Sequence, residues 1–380
     1  MISYCCETHD LMNLDEILDI LSNYRQRNYD LARSMPPAFY TSEEVFNLEQ
    51  ERLFRSQWVC LGRIDQIPNP GDYFTTNLIN EPLIVVRTKS NEIKVLSNVC
   101  RHRGSVIADG SGNSKVFVCP YHSWTYHLNG ELHHATLIDK RSDFDPNHCR
   151  LPTFSTEIWG GFIYVNLDGT ASSLVGQLEG LSKIIEHYHV DEMIERHAEE
   201  SIWDCNWKSL TENFMEGYHL SIVHRETLHD ITPTRLSKHF SPGEGYFGFY
   251  SVFPDDLPQR GNYHADLTSE ERNRSVMFAV PPLHVVGVAG HKMTYLYLRP
   301  ETVSTVRVKR GIAILDNEIS DSDLKNVVDL FERTMVEDSA QLSRVSRGLK
   351  SRFLDTAPLG SVNYEGNVCD FYHYLARKLL

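Results

Sequence analysis

Four residues constrain this chain more than any other feature. Cys100, His102, Cys119 and His122 stand in the segment CRHRGSVIADGSGNSKVFVCPYH as a Cys-x-His pair, sixteen residues, and a Cys-x-x-His pair. With 8 Cys and 18 His among 380 residues, random placement produces that pattern in about four of ten thousand such chains. Four ligands brought to one point require a chain that turns back on itself, and Gly104, Gly110, Gly112 and Pro120 supply the turn chemistry for two loop tips. The flanking texture is short β-branched and aromatic runs between Gly, Asn, Asp and Pro, as at Pro82 to Arg87, Ile93 to Leu96, Val116 to Cys119 and Gly161 to Asn166. Residues 57–168 therefore read as a compact antiparallel β unit.

Two thiolates and two imidazoles in this order suit a Rieske two-iron two-sulfur cluster, in which one iron takes the two Cys and the other the two His. Each ligand pair occupies its own loop, so Cys100 with His102 and Cys119 with His122 pinch the cluster between hairpin tips. Trp124, immediately after, is placed to shield it from water. A structural zinc site uses the same residue types, but the Cys-x-His start in place of Cys-x-x-Cys and the β-rich setting argue against zinc.

The formal charge is −14, from 37 Lys plus Arg against 51 Asp plus Glu. A polyanion is repelled on average, so nucleic acid and anionic membrane are poor partners and a cationic substrate is permitted. No basic-then-apolar leader opens the chain and no run approaches 18 apolar residues, so the expected location is the cytoplasm, without membrane insertion. In that reducing compartment the remaining cysteines read as buried thiols, not disulfides.

The pattern of Leu11, Leu14, Ile17, Leu18 and Leu21 predicts a helical lead-in from Leu11 to Ser34, ended by Pro36 and Pro37. Ser42 as a cap with Glu43 and Glu44 in the first turn predicts a helix to Ser56. Beyond Leu174, helical stretches near 174–189, 206–220 and 322–350 alternate with strand-like runs at Tyr246 to Phe253, Ser275 to Val280, Lys292 to Leu298 and Thr305 to Ala313. The fold class expected is α+β, divided as an N-terminal helical segment (1–40), the β domain with its helical lead-in (41–170) and a domain with an antiparallel sheet flanked by helices (171–380).

The second domain carries NWKSLTENFMEGYHLSIVH. Glu216 and His219 are three apart and share one face of a helix, whereas His224, five beyond His219, is rotated by roughly 140°. Aiming both imidazoles at one ion therefore requires the helix to distort or end, which Gly217, Ile222 and Val223 favour. Two His and one carboxylate hold oxygen-activating Fe(II). The carboxylate expected is Asp338, which continues the apolar stripe Leu324, Val327, Phe331, Met335, Leu342, Val345, Leu349; Glu337 is expected on the polar side with Arg344.

With these motifs in view, the chain from about residue 38 resembles the oxygenase (α) subunit of a Rieske non-haem iron oxygenase. The Rieske pattern, the run Asn213-Phe-x-Glu-x-Tyr-His-x-x-x-x-His224, the Arg347-Gly348-Leu349 helix end and the closing Phe371 and His373 carry the likeness. The resemblance implies one Rieske cluster and one mononuclear Fe(II) per subunit, and a head-to-tail homotrimer in which Glu216 bridges His122 of one chain to His219 of the next. Glu at this bridge, where ring-hydroxylating members mostly have Asp, is similar to the carnitine, choline and glycine betaine oxygenases. That implies a monooxygenase that hydroxylates or N-demethylates a small quaternary ammonium or N-methyl substrate with O2.

No Gly-rich dinucleotide fingerprint opens a helix, so the electrons are expected from a separate NAD(P)H-dependent flavin and iron-sulfur reductase. A cationic substrate calls for an aromatic cage, for which Tyr246, Tyr250, Tyr295 and Tyr297 are noted, although aromatics in strands usually serve packing. The rivals are an aromatic ring-hydroxylating oxygenase and an electron carrier using the cluster alone.

Overall fold

The computed structural model describes residues 12–138, 141–257, 264–315 and 319–380. Two seven-stranded sheets, every pair of neighbours antiparallel, organise it. The first runs in the order Val59–Arg63, Phe162–Asn166, Thr153–Trp159, Ile93–Ser97, Glu81–Arg87, Asp72–Leu78, Ser111–Asn113. A three-stranded sheet, Phe117–Val118, Thr125–Tyr126 and Leu132–His134, sits on it. The second large sheet runs Ile194–Trp203, Thr305–Ile314, Lys292–Thr302, His284–Ala289, Arg274–Val280, Phe247–Val252, Ser237–His239. The architecture is α+β: a Rieske-type β unit beside an antiparallel sheet with flanking helices.

Strand alternation decides what each face touches. In Glu81–Arg87, Leu83 and Val85 enter the large core beneath the N-terminal segment, while Ile84 and Val86 join Phe117, Trp124 and Tyr126 beneath the two Cys loops. In the second sheet, Ala279, Val285, Leu296 and Leu298 face the helices Trp207–Phe214, Asp321–Gly348 and Val362–Leu379. Phe278, Val286, Tyr295 and Tyr297 face the opposite way, onto Trp58, Phe162 and Tyr164 of the first sheet. One common core thus crosses between the two sheets, and the N-terminal segment is fastened to the last helix by Arg27 (2.7 Å) and Tyr29 (2.9 Å) on Asp370.

Several local elements differ from the sequence reading. The lead-in is a nine-residue helix, Leu14–Ser22, capped by Asn13 with Glu16, followed by two short 3-10 turns; Leu11 lies outside the described residues. Ser42 caps as expected, accepting from the Val45 amide, and Glu43–Glu49 continues as a π turn over Gln50–Phe54. The stretch near 174–189 is two short helices, Leu174–Gln177 and Glu179–Ile184, because Leu178 leaves helical geometry (ψ 6°) between them. The helix from Trp207 stops at Phe214, so Glu216 and His219 share no helix face.

Candidate metal centres

The first centre is built on the tips of the β unit. Cys100 and Cys119 are almost wholly buried, and the His102 and His122 ring centroids lie 4.7 Å apart. Tight backbone turns shape both tips: the Gly104 amide donates to Cys100 O (3.0 Å), the Ser123 amide to Cys119 O (3.0 Å), and Gly104 takes a φ of +73° that favours glycine. Trp124, 3% exposed, stacks on His102 at 4.9 Å with planes 7° apart.

The donor set fits an iron-sulfur cluster. His102 Nδ1 is buried and has no hydrogen-bond partner, so its lone pair is free for a metal. Burial pushes the Cys119 thiol up, but the Tyr121 and His122 amides, with the Cys100 and Ser105 side chains, outweigh it and hold the pKa below its ordinary value. Tyr126 OH lies 3.3 Å from Cys100 Sγ, and burial pushes both of those groups up. Polar hydrogens aimed at cluster sulfurs raise its reduction potential.

The second centre brings His219, His224 and Asp338 together from three places. His219 Nε2 and His224 Nε2 are 3.2 Å apart, and Asp338 Oδ1 lies 3.1 Å from His224 Nε2 and 3.7 Å from His219 Nε2. The break after Phe214 makes this possible. A turn over 215–219 starts the short helix Leu220–Val223, which delivers His219 at one end and His224 at the other. Gly217 is required there because a Cβ would collide with the Ser237 side chain, and its amide donates to Tyr364 O at 2.9 Å. Asp338 is 2% exposed on the helix Asp321–Gly348 and accepts from Asn213 Nδ2 at 2.9 Å.

Each imidazole is held at its other nitrogen by a carboxylate. Glu216 Oε1 bonds His219 Nδ1, while its Oε2 accepts from the amides of Tyr218 and His219, the latter at 3.1 Å. Glu337 Oε2 accepts from His224 Nδ1 at 2.8 Å and from Thr227 Oγ1 at 2.6 Å. Glu337 is thus not on the polar side with Arg344. The wrap of the helix places it, one residue from Asp338, against the far edge of His224. Carboxylates on both Nδ1 atoms leave both Nε2 lone pairs facing Asp338, the tautomer a metal needs. Burial pushes His224 down, but Asp338 and Glu337 outweigh it and raise its pKa, so positive charge is favoured at this point.

The noted tyrosines do not surround this centre. Tyr295 and Tyr297 are on the sheet face turned to the first sheet, and Tyr250 is covered by the Arg274 guanidinium at 3.9 Å. Phe249 comes close to the turn, with its ring 3.7 Å from where a Gly217 Cβ would lie.

A β unit with this thiolate and imidazole set, joined to a sheet-and-helix unit with two His and one Asp, defines a two-centre redox enzyme. Residues 57–154 match the Rieske [2Fe-2S] domain, and residues 185–380 match the ring hydroxylating alpha subunit (catalytic domain). The chain belongs to that Rieske oxygenase alpha-subunit family, and as such it is an oxidoreductase carrying a Rieske cluster and a mononuclear iron.

Among relatives, the carnitine monooxygenase oxygenase subunit of Acinetobacter baumannii is 28% identical over 86% of this chain and 87% of its own length. The glycine betaine monooxygenase oxygenase subunit of Chromohalobacter salexigens is 33% identical over 58% of this chain and 51% of its own. A quaternary ammonium Rieske monooxygenase, solved with attention to carnitine oxidation and inter-subunit electron transfer, superposes with TM-score 0.83 at 25% identity, covering 93% of this chain and 97% of that one.

Proposed function

We propose that this protein is the oxygenase component of a Rieske monooxygenase that hydroxylates or N-demethylates a small quaternary ammonium or N-methyl substrate. The carrying observation is the pair of centres, with Glu216 on His219 and relatives that act on carnitine and glycine betaine. The net charge of −14 is compatible with a cationic substrate. In this reading Cys100, His102, Cys119 and His122 hold the cluster, and His219, His224 and Asp338 hold the iron. Bound together, these groups supply one-electron transfer and reduction of O2 at a face left open for substrate. Glu216 and Glu337 fix the imidazoles, and Asn213 fixes the Asp338 carboxylate. The same reading divides the chain into 1–40, a Rieske domain over 41–170 and a catalytic domain over 171–380.

The working form in this reading is a head-to-tail homotrimer in the cytoplasm, fed by an NAD(P)H-dependent flavin and iron-sulfur reductase. Exposed apolar side chains flank each centre: Val118 and Tyr121 at the cluster tips, Tyr218 and Ile222 beside Glu216. Two different patches on one chain suit a heterologous contact that closes into a ring. His122 of one chain then approaches Glu216 of the next.

Oxygen uptake by the reconstituted protein with a surrogate reductase tests the function, using a panel of quaternary ammonium compounds, N-methyl amines and aromatic acids. Uptake coupled to an oxidised or demethylated ammonium product, with formaldehyde where a methyl is lost, is expected. Uptake coupled only to an aromatic acid would replace this reading with ring hydroxylation. No substrate-dependent uptake would leave an electron carrier.

A further inference from the structure

Well away in sequence from the iron ligands, a second set of two His and one carboxylate converges. His189 closes the 3-10 turn Glu186–Tyr188, and His264 and Asp266 lie just before the capped helix Ser269–Arg272. His189 Nε2 is 2.9 Å from Asp266 Oδ2, and His264 Nδ1 is 3.4 Å from the same oxygen. The two rings are 4.0 Å apart between centroids. One ligating atom from each of the three lies within 4.8 Å of the others.

We propose that His189, His264 and Asp266 bind a late first-row divalent cation, with zinc the chemistry that fits best, and that Glu192 orients His189 for it. Two ligands on one zinc at about 2.1 Å stand about 3.4 Å apart in tetrahedral geometry, which the His264–Asp266 spacing of 3.4 Å matches and the His189–Asp266 spacing of 2.9 Å approaches within about half an ångström. The iron set, at 3.1 to 3.7 Å between its ligand atoms, has similar spacing.

The wiring behind the ligands supports a metal over a simple ion pair. His189 Nδ1 faces Glu192 Oε1 at 3.3 Å, so the nitrogen turned toward Asp266 is the one a carboxylate-held imidazole presents to a cation. This repeats the arrangement of Glu216 on His219 and Glu337 on His224. His264 Nδ1 accepts the Asp266 amide at 3.3 Å, so its unprotonated nitrogen already points into the group, and this long bond is the contact an ion displaces.

The side chains of His189 and His264 are 25% and 34% exposed, leaving the fourth position of a tetrahedral ion to water. His187 stands nearby but is engaged by Glu271 at 3.0 Å and is not a ligand. An ion at this point would tie the turn after Tyr188 to the segment before Thr268.

The test is zinc binding to the intact holoenzyme, stripped of loose metal and titrated with zinc chloride, with zinc and iron both counted by elemental analysis. The proposal expects one zinc per chain with no loss of iron and an unchanged cluster spectrum. His189→Ala and Asp266→Asn should each abolish that zinc, Glu192→Gln should weaken it about tenfold, and His187→Ala should keep it. Asp266→Asn conserves shape, so it separates ligand loss from misfolding. No zinc uptake, zinc gained only as iron is lost, or zinc retained by a His189→Ala/His264→Ala double variant would each overturn the site.

Discussion

Replacing Glu337 with alanine tests the mononuclear centre through a residue that is not itself a ligand. Glu337 Oε2 accepts from His224 Nδ1 at 2.8 Å, and His224 is only 1% exposed. Without it the imidazole is free to carry its proton on Nε2, the nitrogen 3.1 Å from Asp338 Oδ1. Loss of such an outer partner costs about 10- to 100-fold in metal affinity, or about 1.4 to 2.7 kcal/mol. Glu337→Gln retains an acceptor oxygen without the charge and should lie at the lower end. Thr227→Val removes only the second bond to the same oxygen, at 2.6 Å, and should do less. The assay is anaerobic chelator competition read as iron against acid-labile sulfide. The cluster supplies an internal standard, since its two irons and two sulfides stay together while the third iron leaves, taking the ratio from about 1.5 to about 1.0. Glu337→Ala should make that step at about 10- to 100-fold lower chelator activity than the parent chain. An unchanged midpoint, with the cluster spectrum intact, would refute the assignment of His224 as a metal-bound imidazole held by Glu337.

Glu216→Gln should keep all three irons while, with substrate present, oxidation of the reduced cluster no longer leads to product. Single-turnover product yield per oxidised cluster checks this, and full yield would exclude the bridge. Lys208→Met leaves the Glu49 carboxylate buried without its cation, only the Trp207 indole remaining on it at 2.7 Å, and should cost about 3 to 5 kcal/mol in denaturant unfolding. Adding Glu49→Leu should recover part of that cost, and a single-variant loss below about 1 kcal/mol would show the pair to be unimportant. Burial, helped by Arg63 and Arg299, holds the His284 pKa at about 3. The folded chain therefore keeps His284 neutral while the unfolded chain takes up a proton below about 6.5, so stability is lost as pH falls through that range. Between pH 7 and 5 the parent should lose about 2 kcal/mol more than His284→Gln, measured by urea unfolding at each pH; equal losses would contradict the shift.

The residues that converge at the two candidate centres were legible because coordination chemistry dictates residue type and near spacing, as in the Cys and His pairs of residues 100–122. Asp338 was legible because an acid interrupting an apolar stripe needs a reason to be buried. What stayed hidden were elements without periodicity. Ile194–Trp203 is an edge strand carrying Glu195, Arg196, His197, Glu199 and Glu200, and His197 spends its ring on Glu332 of the long helix at 3.0 Å. His284–Ala289 reads HVVGVA, buried on both faces, so it shows no alternation. The last helix, Val362–Leu379, is buried without a break from Gly366 to Ala376, with Asn367, Asp370 and His373 inside, and so presents no polar stripe to read.

Glu216 shows why spacing alone misassigns a role. At three residues from His219 it reads as a helical neighbour, yet the helix has ended and the same carboxylate takes the imidazole on one oxygen and two amides on the other. Those amides open the short helix that delivers His224, so the residue that orients the first imidazole also fixes the turn between the two. Its side chain remains 13% exposed, next to exposed Tyr218. An aspartate there, one methylene shorter, could not span both the ring and the amides without moving the turn. A Glu216→Asp variant should therefore shift the geometry of the iron site as well as electron transfer, whereas Glu216→Gln should alter transfer with the turn retained. Iron-site spectra that change equally in both variants would contradict this division of labour.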